Sequence, residues 1–158
     1  MNVGGFMILW WMLSTAKGSS EMEMDSAFLM GMWSLNTWAL TNIATGAVLA
    51  QQSEDPKLAS FHQMNAGWNI VNAGLASAAL VRPKEHDPRR LSKVFWINAG
   101  ADVLYVLGGI ALQSKGIEQD NTDWEGWGSS IVLQGSFLFV FDGIMGWSMY
   151  RYSTQAQK

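Results

Sequence analysis

The stretch MWSLNTWALTNIATGAVLAQ, residues 32–51, returns in altered form as VFWINAGADVLYVLGGIALQ, residues 94–113. Laid over one another, these segments match Asn36 to Asn98, Gly46 to Gly108, Val48 to Ile110 and Gln51 to Gln113. The segments that follow repeat as well. Residues 62–82 over residues 131–151 match Asn65 to Gln134, Trp68 to Phe137, Val71 to Val140, Gly74 to Gly143 and Arg82 to Arg151. A pair of apolar segments used twice in tandem predicts an all-α fold of two helical hairpins, 28–82 and 94–151, joined by the basic linker 83–93. Residues 1–27 form a separate N-terminal segment and residues 152–158 a polar tail.

The composition, 49% hydrophobic and 15% charged over 158 residues, points away from disorder. Nearly all the charge lies in four islands, 17–25, 54–57, 82–93 and 115–125. The runs between them, 28–50, 61–81, 94–114 and 128–150, each have about 20 residues, enough as a helix to cross about 30 Å of hydrocarbon. A soluble four-helix bundle is the alternative, but its helices would carry a charged outer stripe, and none is visible. The reading is a polytopic membrane protein, a bundle of four transmembrane helices. The island 82–93 holds Arg82, Lys84, Arg89, Arg90 and Lys93, and the C-terminal stretch adds Arg151 and Lys158. The positive-inside bias then makes that loop and the C-terminus cytoplasmic. Two hairpins entering from the same side are related by a pseudo-twofold axis along the membrane normal.

Nine tryptophans are present. Trp33, Trp96, Trp147, Trp124 and Trp127 lie near run ends and suit an interfacial belt, whereas Trp38 and Trp68 are deeper and suit packing inside the bundle. Residues 3–16 are apolar but too short to span, and they lack the basic start of a signal peptide. They are expected to form an interfacial or partner-docking helix rather than a longer, tilted span. With no Cys, disulfides and thiolate metal sites are excluded.

The strongest local signal is FHQMNAGWNIVN at residues 61–72. Asn65, Asn69 and Asn72 at i, i+4, i+7 form one helical stripe, and Asn98, Asp102 and Tyr105 repeat that spacing. Amides facing lipid would lack partners, so both stripes are expected to face the interior. Counting from the run ends places Asn42, Asn72, Asp102 and Asp142 near the midplane, with Gln134 also inside. For the Asn residues the structural role, interhelical hydrogen bonding supported by Ala73/Ser77, Gly108/Gly109 and Gly143/Gly146, outweighs a functional one. Asp102 and Asp142 have no Lys or Arg within the runs, so each is expected to be neutral or hydrogen-bonded to Asn and Tyr, the setting of a proton relay or cation site.

His62, at the outer start of the second run, suits capping or a loop contact better than metal, haem or chlorin ligation. Glu85-His86-Asp87 reads as a solvated turn between Pro83 and Pro88. No phosphate-binding loop, dinucleotide fingerprint, nucleophile elbow or paired-His zinc motif occurs, and the net charge of −3 disfavours nucleic acid. No catalytic constellation, metal site or cofactor is expected.

FHQMNAGWNIVNAG at residues 61–74, with WALTNIATGA before it and INAGADVLYVLGG and LQGSFLFVFD after it, resembles an uncharacterised family of small bacterial membrane proteins found mainly in Bacteroidota. The resemblance covers residues 28–151. It implies four transmembrane helices and supplies no activity. Two functions are expected from these observations: a non-catalytic accessory or scaffold subunit of a larger membrane assembly, which is preferred, or a small proton- or cation-coupled transporter or channel using the central Asp and Asn residues. The expected partners are the lipid bilayer, other membrane subunits or a second copy.

Overall fold

The computed structural model of the chain describes residues 19–81 and 86–155. These form four α-helices: α1 (Ser19–Gln52), α2 (Pro56–Val81), α3 (Pro88–Glu118) and α4 (Thr122–Gln155). The apolar segment 3–16 lies outside the described residues, as does most of the junction at 82–85. The helices run well past the apolar runs, absorbing much of the charged islands, so that three residues suffice to join α1 to α2 and α3 to α4.

Side-chain caps explain where three of the helices begin. Asp55 Oδ1 accepts from Lys57 N–H at 2.9 Å and Asp87 Oδ1 from Arg89 N–H at 2.9 Å, with Pro56 and Pro88 in between. Proline at the first helical position lacks an N–H that would be unpaired there in any case. Asn121 caps α4 by accepting from Trp124 N–H at 3.1 Å. The D-P-K and D-P-R signals thus mark the starts of α2 and α3, and Asp87, the last residue of the expected turn, is the cap of α3. His86 contributes as well, lying 3.3 Å from Asp25 of α1 and 4.3 Å, ring to ring, from Phe28. At the far end, the chain turns from α3 into α4 through Asp120, whose φ of 52° is left-handed, a conformation Asp tolerates through local polar contacts.

Helix α4 is the hub. It packs most extensively against α3, then against α2, and touches α1 more lightly, while α1 pairs with α2. No comparably close packing joins α2 to α3. Glycines set the α3–α4 approach: a Cβ on Gly128 would stand 2.4 Å from Gln113 N and 2.6 Å from Gly109 O. The same need appears at Gly126, against Lys57 O and Phe61 N of α2, and at Gly46, 2.8 Å from His62 O. Gly108 and Gly143, expected at helix contacts, face open space, whereas their neighbours Gly109 and Gly146 are packed. One end of the fold is filled by Met24, Phe28, Met32, Phe95, Met145 and Met149.

Burial bears on the repeat. In α2 and α4 the offset read from sequence holds: Asn65, Asn69 and Ala76 match Gln134, Leu138 and Met145, all buried. In α1 and α3 it shifts by one residue. Buried Met32, Asn36, Ala39 and Gly46 correspond to buried Phe95, Ala99, Asp102 and Gly109, and Asn98, the sequence match of Asn36, is exposed. A one-residue slip turns a helix by about 100°, which carries a side chain off the buried face.

Helices α3 and α4 are each long and apolar enough to cross a membrane. The amides of α2 and the hydroxyls and amides of α1 lower the hydropathy of those two helices.

Replacing Gly128 with Val is expected to force α3 and α4 apart and cost about 2 kcal/mol or more. Gly100, with nothing near its Cβ position, should accept Ala with a gain of up to about 1 kcal/mol from helix propensity. Thermal unfolding of the purified protein measures both.

Candidate functional site

Two polar layers lie inside the helices, about 12 Å apart along α4 by its rise between Gln134 and Asp142. The first is a closed ring of hydrogen bonds. Asn42 Nδ2 donates to Trp38 O at 2.9 Å, and Asn65 Nδ2 to Asn42 Oδ1 at 2.9 Å. Gln134 Nε2 donates to Asn65 Oδ1, and Trp38 Nε1 to Gln134 Oε1 at 3.1 Å. Each amide gives one bond and takes one, and α1, α2 and α4 are tied together. Asn69 adds a bond to Asn65 O at 2.8 Å. Gln134 and Asn69 have no solvent exposure, so this satisfaction decides whether the layer stabilises or destabilises the fold. Trp38 stacks on Phe137 with ring centres 3.9 Å apart, which holds its N–H in line. The sequence reading assigned Trp38 to packing and overlooked it as a donor; an indole among amides at i, i+4 on a neighbouring helix is the signal available.

The second layer lines a cavity of about 430 Å³ bounded by all four helices. Asn72, Asn98, Asp102, Tyr105 and Asp142 face it. Asp102 of α3 and Asp142 of α4 are almost wholly buried, and both line this cavity. Neither takes part in an ion pair among the described residues. Asp102 Oδ2 and Asn72 Nδ2 are buried without a hydrogen-bond partner, as are Asn69 Oδ1 and Ser130 Oγ.

The expected site residues therefore divide. Asn42, Asn65, Asn69 and Gln134 belong to the ring layer, so Asn42 does not join the carboxylates. Asn72, Asp102 and Asp142 come together at the cavity. Asn98 and Tyr105, expected to face inward with Asp102, are exposed and stand at the cavity rim. The reason is the lack of close α2–α3 packing: only the edge of the α3 stripe nearest α4 is covered. Trp68 meets Tyr105 edge-on at 5.1 Å and spans that gap. His62 is half-buried beside Phe61 at the opposite end of α2, away from the cavity.

A third group of contacts joins the ends near the short turns. Lys57 Nζ lies 2.7 Å from Glu125, Ser60 bonds Asp123, and Gln113 Nε2 donates to Ser129 Oγ at 2.9 Å. These tie both hairpins to the start of α4 and hold the region above the ring in register. Among the described residues no group of three His, Cys, Asp or Glu side chains is placed to hold a metal ion.

Fold and site together define an all-helical protein with two candidate membrane spans, built around buried amides and a carboxyl pair. Residues 34–143 match DUF6992, a family of unknown function, and the chain belongs to that family. The matched region contains the whole ring and both carboxyl groups. Neither the curated proteins nor the solved structures gave a match.

Gln134→Leu would strand Trp38 Nε1 and Asn65 Oδ1, an expected cost of about 1–3 kcal/mol. Asn98→Leu, on an exposed position, should change stability by less than about 0.5 kcal/mol. Unfolding midpoints of the two variants separate the ring layer from the rim.

Proposed function

We propose that the chain is an integral membrane protein of four spanning helices and acts as a small proton- or cation-coupled carrier or channel, with Asp102 and Asp142 as the coupling site. The observation that carries this reading is a pair of buried carboxyl groups facing a cavity that reaches the surface between α2 and α3. Two acids retained in apolar helices without a basic partner are costly, and a shared, exchangeable proton or a bound cation relieves that cost.

The membrane reading has its own support. Even the shortest helix, α2, with 26 residues, extends about 39 Å, beyond the thickness of a hydrocarbon core. Ile70 and Leu75 on α2, Ile97 and Leu104 on α3, and Val140 and Ile144 on α4 are all exposed. Lipid against these side chains removes the cost that water would impose. The buried amides of α2 point inward, and the exposed Ser34 and Thr45 hydroxyls of α1 donate to carbonyls of their own helix, so neither set opposes spanning. Exposed Trp33, Trp96 and Trp147 fit a headgroup belt. The junction around 82–93 and the C-terminus would lie in the cytoplasm, with the inner membrane of a bacterium as the location.

A non-catalytic accessory subunit in a larger assembly is the second reading, favoured by α3. That helix packs closely on α4 alone and leaves the face of Ile97 and Leu104 uncovered for lipid, another subunit or a second copy.

Reconstituted vesicles distinguish the two. The carrier reading expects a wild-type proton or cation flux that falls at least about tenfold in Asp102→Asn and in Asp142→Asn while the fold is retained. Absence of any wild-type flux would favour the accessory role. For topology, single cysteines replacing Asp55 or Asn121 should react with an impermeant thiol reagent in intact cells, and one replacing Gln155 should not; the reverse pattern would invert the orientation.

A further inference from the structure

We propose that the cavity between α2 and α3 binds a lipophilic amine, a protonated nitrogen on an apolar body, reached sideways from the surrounding apolar phase. The inference rests on the reading of Asp102 and Asp142 as a cation site and names the cation.

Size is the first argument. At about 430 Å³ the cavity falls in the range of small-molecule pockets, about 300–1,000 Å³. An inorganic cation needs a shell of oxygens, about six for the hard divalent ions. Here the oxygens come only from the polar side chains already named, and most of the wall is apolar, with Phe28, Leu35, Leu75, Phe95, Leu138 and Phe141 among its residues. Such walls suit a hydrocarbon body.

Charge is the second. No Lys, Arg or His lines the cavity, so nothing in its wall offsets the carboxyl pair. Asp102 Oδ2 is buried and accepts no hydrogen bond, and Asn72 Nδ2 gives none. An ammonium N–H supplies the donor that Asp102 lacks and the positive charge that the pair lacks. The aromatic faces of Phe28, Phe95, Phe141 and Trp68 add attraction for a desolvated cation. A fatty acid would bring a further negative charge into the same space, and a fatty alcohol would bring the donor without the charge.

Access is the third. Helices α2 and α3 lack close backbone packing, and the side chains at the opening, Val71, Leu75 and Val94, are apolar and exposed. An amphiphile dissolved in lipid can therefore enter head first along this apolar edge, beside Asn98 and Tyr105 at the rim.

The test is equilibrium binding to the full chain in lipid nanodiscs at neutral pH, with empty nanodiscs subtracted. The probes are radiolabelled dodecylamine, dodecanol and dodecanoate. Dodecylamine is expected to bind saturably and at least about tenfold more tightly than dodecanol, with no saturable binding of dodecanoate. Asp102→Asn should weaken amine binding by about tenfold or more, and Ala101→Phe should abolish it by filling the cavity while both carboxyl groups remain. Melting curves identify any variant that fails to fold, and the ranking of the three probes on the wild type needs no variant. Amine binding no tighter than dodecanol, or undiminished in both folded variants, overturns the proposal. A proton or inorganic-cation flux that depends on Asp102 without saturable amine binding rejects this proposal and leaves the carrier reading standing.

Discussion

Gln134 has no exposure to solvent, so its carboxamide must find both a donor and an acceptor within the protein. It finds them on two other helices, the indole N–H of Trp38 on α1 and the carbonyl oxygen of Asn65 on α2. That requirement fixes three helices relative to one another in position and rotation, because a hydrogen bond tolerates little more than a few tenths of an ångström. Asn42 closes the ring, so each of the three amides in it both gives and takes a hydrogen bond. A partly satisfied layer would be worse than an apolar one.

Helix α3 is held by different physics. It has no member in the ring and lies against α4 through Gly109 and Gly128, where backbones meet with no room for a Cβ. Dispersion at close range, supported by Ser92 Oγ donating to Gly146 O at 2.9 Å, takes the place of the amide network. Because α3 is fastened to α4 and not to α2, a space remains between α2 and α3. The carboxyl pair belongs to the α3–α4 contact and faces that space. The proposed coupling site is thus a consequence of how the two hairpins are joined: a ring on one side of α4, a glycine seam on the other, and a cavity where neither closes the gap.

The two polar layers also differ in what they leave unpaired. Within the ring each amide gives and takes a bond, and beside it Asn69 Oδ1 and Ser130 Oγ, one turn of α4 from Gln134, are left over. At the cavity, Asp102 Oδ2 and Asn72 Nδ2 both lack partners, and Asp142 brings a second acid rather than a base. Matched amides rigidify a fold, whereas unmatched acids beside a void are a place for something else to bind. The separation of glue from site follows from that difference more than from depth, since both layers are buried.

Several features were legible in the sequence because they depend on local chemistry. The four-helix, two-hairpin order followed from apolar runs broken by charged islands. The inward stripe of Asn65, Asn69 and Asn72 followed from helical spacing, and its correspondence with Gln134 from the second half of the repeat. The isolation of Asp102 and Asp142 from basic residues could also be read directly. Tertiary structure alone decided which polar groups meet, because that depends on interhelical rotation, and a one-residue slip between α1 and α3 moved Asn98 to the surface. It also decided that Trp38 is a donor, that Gly109 and Gly146 carry the packing while Gly108 and Gly143 do not, and that α2 and α3 stay apart. Spacing along one helix defines a face; only the neighbour that covers that face determines whether its residues become core, rim or cavity wall.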